Sequence, residues 1–423
     1  MEAASEGRAS PPWLVGTLVL LGLAILINYI DRGNLSIAAP MIQTELHLTG
    51  TQLGLLLTSF FISYVAMQPL VGWLCDRFEA GRVLVAGFAI WSLATTFMGL
   101  AQGLTGLFAL RLVLGAGESV AFPTTSKIIG ANFRENRRGV ANAVILTGLA
   151  LGPAVGTFFG GLLMARVGWR AFFIGFGLAS FVWIAAWWLF GRRGLAARPA
   201  VAGDSPRYFA ILGKRSLWGS SLGHFCSNFA LYFVLTWIPY YLVHARHWSI
   251  PDMAKIGGGA YLCQAATAMT SGWVADRWIG AGASPTFVRK TLLIGSALGV
   301  SAFAFGCVAS GPLWSIVSLY LACAAMGVAG PHVYAAGQTL AGPSATGRWV
   351  GVQNTLANVA GIVAPALTGF LLDKTGSFFV PFAITAVVEL VGAAAWAFVV
   401  GPIAQVEWST DVAGVVALGG AVP

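Results

Sequence analysis

Apolar runs of about twenty residues recur along the whole chain, and they constrain its fold more than any other feature. The first run is almost unbroken from Trp13 to Ile30. A helix of that length crosses a hydrocarbon core of roughly 30 Å. Only 9% of the 423 residues are charged, whereas soluble domains average about 25%. The sequence therefore predicts an all-α membrane protein embedded in a lipid bilayer.

The spacing of the apolar runs predicts twelve transmembrane helices. The expected spans cover residues 13–38, 52–74, 82–101, 105–129, 139–164, 170–190, 217–243, 253–275, 289–308, 312–340, 349–372 and 377–402. A long hydrophilic stretch divides them six and six. We therefore expect an N-terminal six-helix bundle over residues 1–190, a cytoplasmic linker over 191–216, and a C-terminal six-helix bundle with a short cytoplasmic tail over 217–423.

The basic residues predict the orientation of the spans. Sixteen Lys or Arg residues fall in segments on the same side as the two termini, and five fall in segments on the other side. Because Lys and Arg accumulate in cytoplasmic loops, both termini are expected to be cytoplasmic, in an inner (plasma) membrane. The net charge of +9 is spread over separate short loops, which disfavours a nucleic-acid partner.

A short repeat relates the two halves of the chain. The segment "VGWLCDR" at Val71–Arg77 returns as "SGWVADR" at Ser271–Arg277, 200 positions later. Each copy closes the second span of its half. Two six-helix bundles repeated in parallel are the architecture of the major facilitator fold, which places the substrate site between the bundles near the midplane. The sequence resembles that fold in this respect.

The repeated loop is a candidate gate. A glycine there allows close helix packing, and an acid can accept hydrogen bonds from Arg77 and from the N-terminus of a neighbouring helix. Such contacts would latch one conformation of a cytoplasmic gate. A solvated turn that serves only topology is the alternative. Five residues resemble the loop motif of major facilitator transporters: Gly72, Asp76, Arg77, Gly81 and Arg82. The second copy of the repeat supplies the corresponding acid–arginine pair, Asp276 and Arg277.

Charged residues interrupt the spans of the first half. Asp31 and Arg32 lie in "NYIDRGNLS", and Arg111 and Glu118 lie seven residues apart in "RLVLGAGESVAFP", so the second two share a helix face. One Asp, Lys or Arg at a helix centre costs about 2.5–3.5 kcal/mol on insertion scales. The group is either a structural network of ion pairs or a site for protons and an anion. We expect Asp31 to pair with Arg111, leaving Arg32 free for a substrate carboxylate.

Three further polar residues stand alone in the predicted spans. Lys127 lies near the cytoplasmic end of span four, where its side chain is expected to extend to the membrane surface. Glu389 in span twelve is expected to pack at the lipid edge with a neutral side chain. His332 is expected to be a packed or hydrogen-bonded histidine.

Four segments together resemble the anion:cation symporter family of the major facilitators, over nearly the whole chain from about Asn28 to Gly376. They are "NYIDRGNLSIAAP", "SYVAMQPLVGWLCDR", "RLVLGAGESVAFP" and "YFVLTWIPYYL". The family includes bacterial galactonate, glucarate and hexuronate transporters, and the animal sialin and vesicular glutamate carriers. The resemblance implies rocker-switch alternating access and organic-anion substrates, with uptake coupled to protons in bacterial members.

The same resemblance implies roles for single residues. Asp31 and Glu118 match the proton-coupling carboxylates, and Arg111 matches the arginine that responds to the Asp of span one. Arg32 matches the anion-binding arginine. The resemblance also implies that three residues contact the substrate: Tyr29, Tyr64 and Asn354. A purely structural role is the alternative for each of them.

The expected function is proton-coupled import of a small organic anion, with a sugar acid such as a hexonate, hexarate or hexuronate as the cargo. The protein is expected to be a monomer that needs no cofactor besides the coupling proton. The five cysteines form no CxxC or Cys/His cluster, so neither a metal site nor a disulfide framework is expected. A carrier of an aromatic or other carboxylate, and an exporter, are alternatives on the same fold. A membrane-embedded enzyme or a nutrient sensor is a more distant one, since no nucleophile–base pair, HExxH or P-loop motif appears.

Overall fold

The chain folds into a bundle of long α-helices. The computed structural model describes residues 12–48, 50–191, 206–248, 250–309 and 311–408. Short π-helical turns follow α6, α7, α9 and α14. The helices of the described residues are α1 (Pro12–Glu45), α2 (Gly50–Arg77), α3 (Ala80–Met98), α4 (Leu104–Glu118), α5 (Ala121–Asn132), α6 (Glu135–Val155), α7 (Gly161–Ala186), α8 (Tyr208–Leu212), α9 (Arg215–Tyr240), α10 (Ile250–Gly280), α11 (Pro285–Ala309), α12 (Pro312–Asn358), α13 (Ala360–Thr375) and α14 (Phe379–Ala394).

The helices confirm the prediction of twelve spans. Nine segments of the described residues are long and apolar enough to cross a membrane. One of them, Leu313–Leu372, has 60 residues and is divided by Gly342, whose φ of 66° interrupts the helical backbone. It therefore supplies two spans. The last two are α9 and α10, with 26 and 31 residues, which are long enough to cross a membrane and carry polar side chains such as Asn228 and Gln264 at a central cavity.

Several helices extend past the predicted spans. α1 continues to Glu45 and α2 ends at Arg77, whereas hydropathy predicts ends at residues 38 and 74. The additional turns are polar, and a hydropathy pattern reports only the segment that lies in hydrocarbon. α4 and α5 form one span whose helix is interrupted between Glu118 and Ala121.

Aromatic side chains fill the core of the first half. Phe88 of α3 stacks on Trp183 of α7 with ring centroids 4.2 Å apart, and Trp183 stacks on Trp187 at 5.3 Å. Gly177 brings α7 against α3, because a Cβ at this position would lie 2.6 Å from the backbone nitrogen of Thr96. This packing fixes α3 and α7 as a support behind the helices that carry the buried charges.

The predicted domain division stays a prediction. Residues 192–205 of the expected linker and 409–423 of the expected tail lie outside the described residues. Within the linker, the short helix α8 is described, and Tyr208 donates a hydrogen bond to the backbone oxygen of Pro69 in the first half. Arg348 also donates to the backbone oxygen of Pro206, at 2.7 Å.

The two halves meet closely at one end of the bundle. We call it the Arg-rich end, since it carries Arg77, Arg82, Arg137 and Arg277 at the ends of α2, α3, α6 and α10. A Cβ on Gly72 would lie 2.7 Å from the backbone oxygen of Gly347 in the other half. Two backbones approach this closely only where the side chain is a hydrogen atom.

Candidate functional site

A buried ion pair lies at the centre of the first half. Arg32 Nε donates to Glu118 Oε2 at 2.8 Å, with the Arg32 side chain 12% exposed and Glu118 fully buried. The guanidinium carbon lies 4.5 Å from the ring centroids of Tyr29 and Tyr64 and 4.9 Å from that of Phe60. Three rings therefore hold the guanidinium by cation–π contacts, which strengthen when water is excluded.

The expected pairing of Asp31 with Arg111 is wrong. Asp31 instead accepts a hydrogen bond from Thr95 Oγ1 at 2.9 Å, and none of the ion pairs among the described residues joins it to Arg111. Arg111 Nε and Nη1 have no hydrogen-bond partner in the described part of the chain, and its guanidinium lies 5.1 Å from the Phe60 ring. Arg32 is correspondingly not free, because Glu118 is its partner.

Each carboxylate of this group keeps one oxygen without a protein partner. These oxygens are Asp31 Oδ2 and Glu118 Oε1. Arg32 Nη2 is a buried donor that likewise has no hydrogen-bond partner within the described residues. A buried polar atom without a partner costs about 1–3 kcal/mol. The group is thus incompletely paired, which is unfavourable for a purely structural network and suitable for one that exchanges partners.

A polar cavity adjoins the ion pair near the middle of the bundle. The cavity has a volume of about 60 Å³. Tyr29 lines it and also stacks on Arg32, so this ring contacts both the cavity and the guanidinium. The second half supplies most of the lining, including His224, Ser227, Asn228, Tyr232, Gln264, Ser296, Tyr334, Asn354, Asn358 and Glu389.

The predicted substrate contacts occupy different places. Tyr29 and Asn354 line the cavity, and Asn354 accepts a hydrogen bond from Tyr334 at 3.2 Å. Tyr64 does not line it. The Tyr64 side chain is fully buried, and its hydroxyl has no hydrogen-bond partner among the described residues, so its observed contact is the ring face on Arg32.

Asp76 joins the two halves at the Arg-rich end. Its oxygens accept hydrogen bonds from the backbone N–H of Gly347 at 3.1 Å and of Arg348 at 2.9 Å. Both amides belong to the first turns of the helix segment that begins after Gly342. This is the predicted contact with a helix N-terminus, where the backbone dipoles favour a negative charge.

Asp276 makes the equivalent contact from the second half. It accepts hydrogen bonds from the backbone N–H of Gly139 at 2.8 Å and of Val140 at 2.7 Å, in the first turns of α6. A Cβ on Gly139 would lie 2.6 Å from the backbone oxygen of Gly272. The sequence repeat therefore corresponds to a repeated contact, in which an acid of each half accepts backbone hydrogen bonds from the first turns of a helix in the other half.

The arginines of the predicted gating loop lie outside this contact. Arg77 is exposed, and Arg277 stacks on Trp273 at 4.7 Å. Arg82 pairs with Glu79 at 2.7 Å on the surface. Gly81 is buried, and a Cβ there would lie 3.2 Å from the ring of Trp187.

Lys127 takes the part that the sequence assigned to Arg77. Its Nζ donates to Asp76 Oδ1 at 2.7 Å and to the backbone oxygen of Pro343 at 2.5 Å. The side chain is 5% exposed, so the expectation that it extends to the membrane surface is wrong. A lysine inside an apolar span, nine residues after Glu118, was the available signal.

Sequence reasoning also missed a second polar cluster between the halves. Arg289 is fully buried and contacts Glu135 Oε1 at 3.3 Å, Asp276 at 3.6 Å and His332 Nδ1 at 3.0 Å. Asn142 and Gln338 exchange two amide hydrogen bonds of 3.0 Å. The prediction of a packed, hydrogen-bonded His332 is confirmed.

A comparison with protein families decides what kind of protein carries these features. The profile of the Major Facilitator Superfamily matches residues 21–365. The chain belongs to the Major Facilitator Superfamily. It is therefore a multi-pass membrane transporter and not an enzyme.

Named relatives within the superfamily extend over almost the whole chain. The "Hexuronate transporter" of Bacillus subtilis is 31% identical over 382 residues, which cover 85% of this chain and 88% of that protein. The "Probable sulfoacetate transporter SauU" of Cupriavidus necator is 30% identical over 422 residues, covering 94% and 96%.

A solved structure shows the same fold at a larger sequence distance. The Escherichia coli "Fucose:proton symporter, FucP" superposes with a TM-score of 0.71 at 16% identity, over 94% of this chain and 100% of that one. The superfamily fold has twelve helices in two six-helix bundles, in agreement with the predicted fold class.

Proposed function

We propose that this protein is a proton-coupled symporter that imports a small organic anion by alternating access, with sugar acids as the cargo class. The observation that carries the proposal is the buried Arg32–Glu118 pair at 2.8 Å. The names of the relatives support anionic cargo, since they include hexuronate and sulfoacetate transporters.

The pair suggests how the proton and the anion would be coupled. Protonation of Glu118 removes its negative charge and weakens its hold on Arg32. A cargo carboxylate can then accept the guanidinium hydrogen bonds, because the planar fork of an arginine matches two carboxylate oxygens. When Glu118 loses the proton, its carboxylate again competes with the cargo for Arg32 and displaces the cargo anion. The proton and the anion are therefore transported together.

Asp31 and Arg111 would respond to the same exchange. Among the described residues, Asp31 has one oxygen with a partner and one without, and Arg111 Nε and Nη1 have none. The Arg111 guanidinium lies over the Phe60 ring. If both Asp31 and Glu118 take up protons with a monovalent anion, each cycle moves net positive charge inward. A potential of 100 mV then contributes about 2.3 kcal/mol per charge. Uptake that is indifferent to membrane potential would contradict this stoichiometry.

The Arg-rich end is assigned to the cytoplasm by its basic loops. With that orientation the described contacts of Asp76 and Asp276 close the cytoplasmic side. Cargo would enter from the opposite side, pass Tyr29 and reach Arg32. We further propose a monomer in the plasma membrane, with both termini cytoplasmic.

The test uses purified protein in liposomes with three variants. Arg32→Ala should abolish binding of D-glucuronate in a calorimetric assay. Glu118→Gln should keep exchange of labelled glucuronate across the membrane but lose accumulation driven by a pH gradient. Glu45→Gln, an exposed acid that pairs with Arg170 at 2.8 Å, is the control and should keep both activities. Normal accumulation by Glu118→Gln would remove the coupling assignment.

A further inference from the structure

Glu389 is an acid of the second half that the coupling scheme does not use. It lies in the middle of α14, is 2% exposed and lines the central cavity. The expectation that it packs at the lipid edge is therefore wrong. The cavity-facing position of an acid inside a membrane helix is characteristic of a functional group.

The described lining of the cavity gives Glu389 no permanently charged partner, since its only basic side chain is the imidazole of His224. Among the described residues that line the cavity none is Lys or Arg, and none of the ion pairs found within that part of the chain includes Glu389. An ionised carboxylate here would be buried without a counter-ion, which is costly, and it would repel an anionic cargo. A neutral carboxyl instead has one O–H donor and acceptor oxygens.

The neighbouring polar groups of the cavity are also neutral hydrogen-bonding groups. Gln264 Oε1 and Asn354 Nδ2 are buried without partners among the described residues, and Asn228 and Ser296 line the same space. Amides, a serine hydroxyl and a neutral carboxyl together can serve both donors and acceptors of a hydroxylated molecule. An apolar or aromatic cargo would leave these groups unpaired at a cost of about 1–3 kcal/mol each.

The two sides of the cavity therefore differ in chemistry. On the first-half side, Arg32 lies behind the Tyr29 ring. On the second-half side, Glu389 and the amides offer uncharged hydrogen bonds. A carboxylate and a hydroxylated chain on one molecule would satisfy both sides at once.

We propose that Glu389 is a substrate-binding residue that exchanges hydrogen bonds with a cargo hydroxyl group remote from the carboxylate held by Arg32. The inference rests on the proposed function and assigns a residue of the second half to the hydroxyl groups of its cargo. It excludes simple alkanoates and aromatic acids as preferred cargo.

The experiment measures calorimetric affinities of the full-length protein for three six-carbon probes. D-Glucuronate carries a carboxylate and hydroxyls, hexanoate carries only the carboxylate, and 6-aminohexanoate carries a carboxylate and an ammonium group. Glu389→Leu removes hydrogen bonding while approximately keeping side-chain volume. Glu389→Gln keeps hydrogen bonding and cannot ionise, so it is the matched control.

The expected result is a selective loss. Glu389→Leu should weaken glucuronate binding at least tenfold and hexanoate binding less than twofold, while Glu389→Gln stays within about threefold of wild type for both probes. Equal losses for glucuronate and hexanoate would indicate a structural role and overturn the inference. A loss confined to 6-aminohexanoate would also overturn it, in favour of a cation subsite.

The outcomes separate this inference from the proposed function. If wild-type protein binds glucuronate, loses it in Arg32→Ala and keeps it in Glu389→Leu, only the role of Glu389 is overturned. If wild-type protein binds none of the three probes, the sugar-acid proposal and the inference are overturned together.

Discussion

Replacing Asp76 with Asn should open the Arg-rich end of the protein. The two carboxylate oxygens accept the backbone N–H groups of Gly347 and Arg348, and one of them also accepts Lys127 Nζ at 2.7 Å. Asn keeps one acceptor oxygen, replaces the other with a donor and removes the charge. One backbone N–H then loses its acceptor, and Lys127 loses its counter-ion.

The size of the effect follows from the burial of these groups. A hydrogen bond to a charged group contributes about 1.5–3 kcal/mol, and removing one partner of a buried ion pair costs about 3–5 kcal/mol. The Asp76–Lys127 pair lies within the first half, so its loss affects the closed and open states alike. The hydrogen bonds from Gly347 and Arg348 join opposite halves, so their weakening, for which we take about 3 kcal/mol, falls on the closed state. The ratio of closed to open protein should then fall about a hundredfold, since about 1.4 kcal/mol corresponds to a factor of ten.

Cross-linking across the same end measures that ratio. In a background with the five native cysteines replaced, Cys is introduced at Asn136 and Gly280, which lie in opposite halves. A Cβ at Gly280 would be 3.7 Å from Asn136 Nδ2, so a short bifunctional thiol reagent reports closure. If the closed form outnumbers the open form by no more than about a hundredfold, Asp76→Asn should halve the initial rate or reduce it further.

The control variant is Glu79→Gln in the adjacent loop. It also removes one carboxylate, but its pair with Arg82 is exposed and spans a single helical turn. Such pairs contribute about 0–1 kcal/mol, so the cross-linking rate should stay at the wild-type value. Equal rates in Asp76→Asn and Glu79→Gln would refute the account of the Arg-rich end as a latch.

Three other substitutions have definite expected outcomes. Gly139→Ala should lower the cross-linking rate, because the new Cβ would lie 2.5 Å from Asp276 Oδ1. Tyr64→Phe should keep glucuronate affinity within about twofold in calorimetry, since the ring on Arg32 stays and only an unpaired hydroxyl is lost. Hydrogen bonds from Arg170 and Trp169 hold the pKa of Glu45 below its usual range. The ionised Glu45 side chain therefore stabilises the folded protein above about pH 4.3, and this contribution is lost as the pH falls through the folded-state pKa of Glu45. Glu45→Gln should lower the thermal midpoint at pH 7, and the difference from wild type should shrink on acidification.

Matched variants test the reasons given for these outcomes. Gly175→Ala adds a methyl group where no other atom lies within 4 Å, and it should leave the cross-linking rate unchanged. Tyr64→Leu removes the ring and should weaken glucuronate binding several-fold, so equal affinities in the Phe and Leu variants would contradict the cation–π argument. A Glu45 effect of the same size at pH 3 and pH 7 would contradict the assigned ionisation.

The sequence predicts the fold well because membrane-spanning helices must be both long and apolar. Even α9 and α10, which are the less apolar spans, are recognised by their length and by their position between turns. The loop motif predicts that Asp76 accepts hydrogen bonds from a helix N-terminus, and this contact is present. Asp276, its counterpart in the repeat, makes the equivalent contact in the other half. The sequence pattern and the contact between the halves agree here because the two halves are structural repeats that make the same contact.

The pairing of the buried charges could not be obtained in the same way. Helical periodicity places Arg111 and Glu118 on one face of their span, but it does not give the rotation of that span relative to α1. Arg32 pairs with Glu118 at 2.8 Å, while Asp31 pairs with Thr95 of α3. Glu389 shows the same limitation, since a lone acid in an apolar helix has no neighbouring pattern that distinguishes a cavity-facing position from a lipid-facing one.

The described contacts between the two halves differ in kind along the bundle. At the Arg-rich end, Asp76 and Asp276 each accept backbone hydrogen bonds from a helix of the opposite half. Toward the other end, the described contacts include the Phe61 ring, which packs edge-on to Tyr232 at 5.7 Å and lies close to Gly361. Apolar contacts of this kind separate at lower cost than buried charge-assisted hydrogen bonds.

Opening of the Arg-rich end must therefore be driven from elsewhere. A ligand shifts such an equilibrium only by binding the two states with different affinity. In the proposed mechanism, the Arg32–Glu118 pair lies between the two ends and changes its net charge when a proton or an anion arrives. A proton alone would leave Arg32 without a counter-ion, and an anion alone would place two negative charges around it. Only the two together restore neutrality, so the electrostatics of one buried pair would link cargo and proton to the opening of a distant latch.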